Sequence, residues 1–180
     1  SNSEMAAITV SSQAAHNDQP TKIDFDLSVP KKALLQNMKG VALKDISVNG
    51  SVAGAPLFLL DEFSEGGIPL SMITGRDADI TFSLQMKDNK PLAEIQLKSE
   101  HLSIPQMSFW VDSHLTLQKP SLVILNLNQS LVNRAFQNLG PQMQGPATAQ
   151  LTLNSFSAPL SRLSSSLKMV YKVDVDAQLK

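Results

Sequence analysis

Residues 119–140 read KPSLVILNLNQSLVNRAFQNLG, and residues 19–40 read QPTKIDFDLSVPKKALLQNMKG. The two stretches keep one order of residue types: a Pro-led alternating run, a Ser or Asn, a run at helical spacing, then Gly. Pro20 and Pro120 lie 100 residues apart, as do Leu27 and Leu127. The correspondence extends upstream, where ITVSSQAAH stands opposite FWVDSHLTL, and downstream, where VNGSVAGAPL ending at Leu57 stands opposite LNSFSAPL ending at Leu160, an offset of 103. A fixed period that carries one supersecondary unit is the mark of a repeat architecture. The chain is therefore expected to be built on a tandem repeat of about 100 residues.

Within each unit the pattern has a physical reading. Ile23, Phe25 and Leu27 alternate with Asp24 and Asp26, and Val123, Leu125 and Leu127 alternate with Ile124 and Asn126. This is the period-two signature of a strand with one preferred face. After Ser28 or Asn128, whose side-chain oxygens suit an N-cap, the apolar positions move to helical spacing. Leu34, Leu35 and Met38 would line the first helix, and Leu131, Val132, Ala135, Phe136 and Leu139 the second. Gly40 and Gly140 stand where each helix would stop, and Pro141 follows the second stop. Helices of this length need a sheet to lie on.

Other stretches read as strands alone. Ile80, Phe82, Leu84 and Met86 alternate up to Asp88-Asn89-Lys90-Pro91, and Ala93, Ile95 and Leu97 alternate after it, which predicts a β-hairpin. Met169, Tyr171, Val173, Val175 and Leu179 repeat the pattern near the C-terminus. The segment 59–77, LLDEFSEGGIPLSMITGRD, reads as a long irregular loop. The expected fold class is mainly β with two short helices (α+β): a curved, largely antiparallel sheet of about eight to ten strands. Residues 1–7, opening SNSEM, read as a tag scar and disordered start. Residues 8–107 form the first repeat and 108–180 the second, packed together as one continuous domain. The C-terminal run KMVYKVDVDAQLK stops while still alternating, so the chain is expected to be part of a longer protein.

At 180 residues and 19.5 kDa the chain is long enough to bury a core without covalent staples. Cysteine is absent, which removes disulfides and thiolate chemistry and leaves the redox compartment open. Fifteen basic and 16 acidic residues give a net charge of -1 with no like-charge block, so nucleic acid is not an expected partner. One Trp, one Tyr and seven Phe leave little material for base-stacking or sugar-binding shelves.

Chemistry-bearing patterns are sparse. His16, His101 and His114 have no second His or carboxylate at the helical spacing of a zinc site. Asp61, Glu62 and Glu65, with Asp77 and Asp79, could offer oxygen ligands to a hard cation, but their spacing is not that of an EF-hand and reads as a solvated loop. Asp24 with Asp26, and Asp174 with Asp176, fall on what reads as the wet face of their strands. No G-x-S-x-G elbow or Gly-rich phosphate loop is present. No enzyme activity, metal or cofactor is expected.

The unit KPSLVILNLNQSLVNRAFQNLGPQMQGPATAQLTLNSFSAPL is similar to one that recurs in AsmA-like and TamB-like envelope proteins: a Pro-led strand, a short capped helix ending near Gly-Pro, and a strand closing in Ala-Pro-Leu. The resemblance covers residues 8–57 and 108–160. It implies a repeating β-groove open along one side, with an apolar inner face that carries lipid acyl chains across the periplasm or cell envelope, in a membrane-anchored parent protein. The residues expected to form that face are Phe25, Leu27, Ile80, Phe82, Leu84, Ile95, Leu97, Leu125, Leu127, Phe136, Val173 and Val175. Expected partners are lipid acyl chains, and adjacent repeats or other proteins joined by strand-edge pairing. The alternative is a structural or protein-interaction module in which the same side chains form a closed core and bind no ligand.

Overall fold

The computed structural model describes residues 4–16, 19–32, 42–58, 61, 71, 74–129, 133, 145–160 and 172–179. They form ten strands: β1 (Met5–His16), β2 (Gln19–Pro30), β3 (Ser47–Pro56), β4 (Asp77–Lys87), β5 (Lys90–Ser99), β6 (Leu102–Val111), β7 (His114–Leu117), β8 (Ser121–Leu127), β9 (Ala147–Pro159) and β10 (Lys172–Leu179). All belong to one sheet, and every pairing is antiparallel. β7 and β8 lie end to end between β6 and β9. Ten strands thus make nine rungs, in which order in space follows order along the chain.

The protein is mainly β, which corrects the expected α+β class with two short helices. Among the described residues the sole complete helical element is the single 3-10 turn Leu43–Asp45. The stretches read as helices fall largely on 33–41, 130–132 and 134–144, outside the described residues, and Phe136 is among those. The expected first cap fails for a visible reason. Ser28 stays in β2, opposite Ala7 on one side and Ser47 on the other, so ladder pairing overrides its capping preference.

Two further expectations change. β1 begins at Met5, and residues 5–7 pair with Pro30, Val29 and Ser28, so they belong to the sheet rather than to a disordered start. The upstream match also fails, because 8–16 lies within one strand whereas 109–117 crosses from β6 into β7 through a turn at Asp112–Ser113. β2 with β3 and β8 with β9 are each an antiparallel strand and its return. A meander produces such pairs anywhere along its length, so this pairing does not by itself show a duplication.

The hairpin expected across 80–97 is formed. Lys87 faces Lys90, leaving a two-residue turn in which Asp88 and Asn89 have φ of 50° and 59°. Both angles are positive, the type I′ geometry whose twist matches its strands, and Asp and Asn tolerate that region well. Elsewhere the ladder is interrupted at residues suited to it. Pro105, which lacks an N–H, sits where the β5–β6 register shifts between Ile95 and Leu97. Gly54 sits in the β3–β4 shift with φ of 66°; its N–H donates to Asp79 Oδ1 at 3.0 Å and its carbonyl accepts from Thr21 Oγ1 at 2.8 Å.

A Cβ on Gly54 would stand 2.8 Å from the Pro20 carbonyl oxygen, which is backbone and cannot swing aside. Gly54→Ala is therefore expected to lower stability by about 1–3 kcal/mol. Gly50→Ala should lose less, since its Cβ would meet the tip of the Phe82 ring, which can turn away. Chemical denaturation of the two variants beside the parent protein checks the order.

Candidate functional site: an apolar sheet face

Side chains directly opposite one another in an antiparallel pair share a face, so the registers assign both sides of the sheet. One row runs Ile8, Leu27, Val48, Leu84, Ala93, Phe109, Leu117 across β1 to β7. The next runs Val10, Phe25, Gly50, Phe82, Ile95, Met107, and a third Ser12, Ile23, Val52, Ile80, Leu97, Ile104. The other side carries polar rows, Thr9, Asp26, Asn49, Ser83, Glu94, Ser108 and beside them Ser11, Asp24, Ser51, Thr81, Gln96, and an apolar pair, the buried Leu92 opposite Trp110.

The apolar side continues beyond β6. Leu102 faces Leu125, Leu125 faces Ala149, and Leu127 faces Ala147. On the last rung Val173 faces Phe156 and Val175 faces Leu153. Phe156 meets Phe109 edge-on with centroids 5.9 Å apart. Eleven of the twelve residues singled out from the sequence thus occupy strand positions belonging to one side, and Phe136 lies outside the described residues. Ile8, Val10, Ile23, Val48, Val52, Ile104, Met107 and Phe109 belong there too. The period-two run in AAITVSS was the signal that could have found the β1 members.

Phe25 and Phe82 show how close packing is reached on this side. They stand on either side of Gly50, and their rings approach to 6.5 Å at an interplanar angle of 38° over the rung where no side chain intervenes. Yet burial is incomplete. Ile8 is 38% exposed, Val10 48%, Ile23 40% and Ile95 38%. Buried apolar side chains on described residues are few: Val29, Leu57, Ala78, Leu92, Phe109 and Ala158.

The polar side is tied by short contacts. Thr9 Oγ1 donates to Asp26 and Ser11 Oγ to Asp24, each at 2.7 Å, while Lys22 Nζ reaches Asp24 at 2.8 Å. Gln106 Nε2 and Ser108 Oγ both donate to Glu94 Oε1, at 2.8 and 3.2 Å. Hydrogen bonding from Lys22 first, and then from Ser11, holds the Asp24 carboxyl below its ordinary value of 3.8. Asp112 is also held below 3.8, chiefly by the His114 backbone N–H at 2.7 Å.

Remaining candidates for chemistry fall apart on geometry. Ser113 Oγ lies 3.1 Å from His114 Nδ1, but Asp112 accepts from the His114 backbone rather than orienting the imidazole, and the trio closes the exposed β6–β7 turn. His101 Nε2 stands 3.6 Å from Glu100 in the β5–β6 turn. Asp61 accepts from the Ser71 N–H at 2.7 Å, Asp79 serves the Gly54 bulge, and Glu62 and Glu65 lie outside the described residues. Among the described residues no group of three His, Cys, Asp or Glu is arranged to hold a metal ion. A cleft of about 440 Å³ opens at the sheet end between His101, Asn126, Leu127, Asn128 and Thr148. No helix among the described residues is long and apolar enough to cross a membrane.

No protein-family model, curated protein or solved structure matches the chain.

Both depressed carboxyls favour the charged form in the fold, so their stabilising contribution is present above pH 3.8 and fades as pH falls through the lowered folded values. Carboxyl-detected NMR should find Asp24 and Asp112 titrating below 3.8. Lys22→Met should return Asp24 toward that value and leave Asp112 where it is. An Asp24 midpoint at or above 3.8 would show that the Lys22 contact does not form in solution.

Proposed function

We propose that the sheet is a non-enzymatic lipid-carrying surface, a segment of an envelope protein of the AsmA-like or TamB-like kind, with its apolar side forming part of a groove for acyl chains. The observation that carries this reading is the set of three cross-strand rows, apolar at every position except Ser12 and Gly50, whose members Ile8, Val10, Ile23 and Ile95 stay more than a third exposed. Neighbouring rungs are about 4.8 Å apart, so the first row extends for roughly 30 Å. Contiguous apolar surface of this kind marks a site of interaction. An acyl chain suits it because the rows offer area and no convergent hydrogen-bonding groups, which a polar ligand would require.

Native mass spectrometry and organic extraction of the purified protein test the reading, together with uptake of a fluorescent fatty acid. Ile95→Glu places a charge in the middle row and is expected to weaken uptake about tenfold, ~1.4 kcal/mol. Thr81→Glu, on the polar side, should leave uptake unchanged. A protein that carries no lipid and takes up no fatty acid is not a lipid carrier, and the closed-core or protein-binding alternative then stands.

A further inference from the structure

The two edges of the sheet are built differently. On β10, Asp174 and Asp176 are exposed, and the ladder to β9 shifts register between Asp174 and Val175. Charge and irregularity of this sort keep an edge from pairing with another strand. β1 has neither: it runs in unbroken register through twelve pairs with β2, and from Met5 to Ala15 it contains no charged residue, proline or glycine. Its far side has no partner strand among the described residues.

The direction of its free groups follows from one bond. Lys31 N–H donates to the Glu4 carbonyl at 2.9 Å, so even-numbered residues of this regular strand turn their N–H and C=O toward β2. Ala7, Thr9, Ser11 and Gln13 then turn theirs outward, an evenly spaced row of donors and acceptors on exposed residues that no strand among the described residues pairs. Such a row fits another extended strand and little else.

We propose that β1 is an assembly edge at which a second copy of this chain pairs antiparallel about a two-fold axis through Val10. In that register Thr9 meets the partner's Ser11 and Ala7 the partner's Gln13 as hydrogen-bonded pairs, so the whole strand is matched. Val10 meets the partner's Val10 in the close, non-hydrogen-bonded position, which covers a side chain now 48% exposed. Residue 4 falls opposite residue 16 of the other copy, so the register sets no Glu4 against another, and each Glu4 keeps its 2.8 Å contact with Lys31 of its own chain. Because the register keeps parity, the apolar rows of the two copies join across the axis. The interface is isologous and closes at two subunits. It does not rest on the lipid reading.

Sedimentation equilibrium over a range of protein concentrations tests the proposal. The parent protein should behave as a dimer of the 19.5 kDa chain. Val10→Lys and Val10→Asp each set like charges face to face on the axis and should weaken dimerisation at least about tenfold. Mixing the two variants in equal amounts should restore the dimer. Ala7→Pro removes an outward N–H and none that serves β2, so it should also weaken the dimer while circular dichroism stays that of a folded sheet. A monomer at every concentration overturns the proposal, as does a dimer indifferent to Ala7→Pro, or a Lys and Asp pair that fails to restore association.

Discussion

Everything in this molecule depends on register. A strand shifted by a single residue would send its whole apolar set to the other side, so a one-sided sheet of nine rungs exists only if every pairing keeps parity. Here the short turns at Asp88–Asn89, Glu100–His101 and Asp112–Ser113 serve it, as do interruptions placed at tolerant residues: Pro105 where no donor is needed, and Gly54 where φ is positive. Gly54 is held from both sides, by Thr21 of β2 and Asp79 of β4, so the interruption is itself fastened by the strands it separates. The reward for parity is local as well as global. Cross-strand neighbours such as Leu27 with Val48 and Val48 with Leu84 are adjacent because the registers are what they are.

How much of this was legible in the sequence depends on the range of the interaction involved. Period-two runs are local, and they placed Ile23 to Leu27, Ile80 to Met86 and Ala93 to Leu97 in strands with their apolar members on one side. The Asp88-Asn89 turn was equally local, since both residues accept positive φ. Ser28 was misjudged because its capping preference is weaker than two flanking ladders that no local reading can see. The match of 8–16 to 109–117 failed for a related reason. Two short apolar runs separated by Asp112 and Ser113 give nearly the same alternation as one long strand, and only the pairing of Phe109 with Leu117 tells them apart. Of the candidate face, the central strands were read from their alternation, whereas Ile8 and Val10 of β1, carried by the shorter alternating run AAITVSS, were not singled out.

The energetic consequence of a one-sided sheet is an unfinished account of burial. Moving a Val, Ile, Leu or Phe side chain fully out of water is worth about 1.5–3 kcal/mol, and much of that is not realised at Ile8, Val10, Ile23 and Ile95. Where burial is complete, at Val29, Leu57, Ala78, Leu92, Phe109 and Ala158, it lies near strand ends and around the Phe109–Phe156 contact, and Leu92 reaches it on the other side of the sheet, opposite Trp110. The apolar side of β1 and β2, together with Ile95 on β5, is therefore the part whose contact with water costs most and whose covering would gain most. The polar side is held differently: its serine, threonine and carboxylate groups hydrogen-bond one another across strands, and its few apolar members include Leu92, fully buried opposite Trp110, and Leu122, which is 38% exposed.

Two kinds of unmet demand thus coexist, and their physics differs. The apolar side asks for contact area, which is non-directional and can be met by any hydrocarbon of suitable breadth. The β1 edge asks for hydrogen bonds at fixed spacing and direction, which hydrocarbon cannot supply. A lipid would cover the rows and leave the outward N–H and C=O groups of Ala7, Thr9, Ser11 and Gln13 in water, while a strand added at β1 would satisfy those groups and leave most of the rows uncovered. One occupant cannot meet both demands. Pairing at β1 would, however, lengthen the apolar rows by a second copy of each, so the directional interaction would enlarge the surface on which the non-directional one acts.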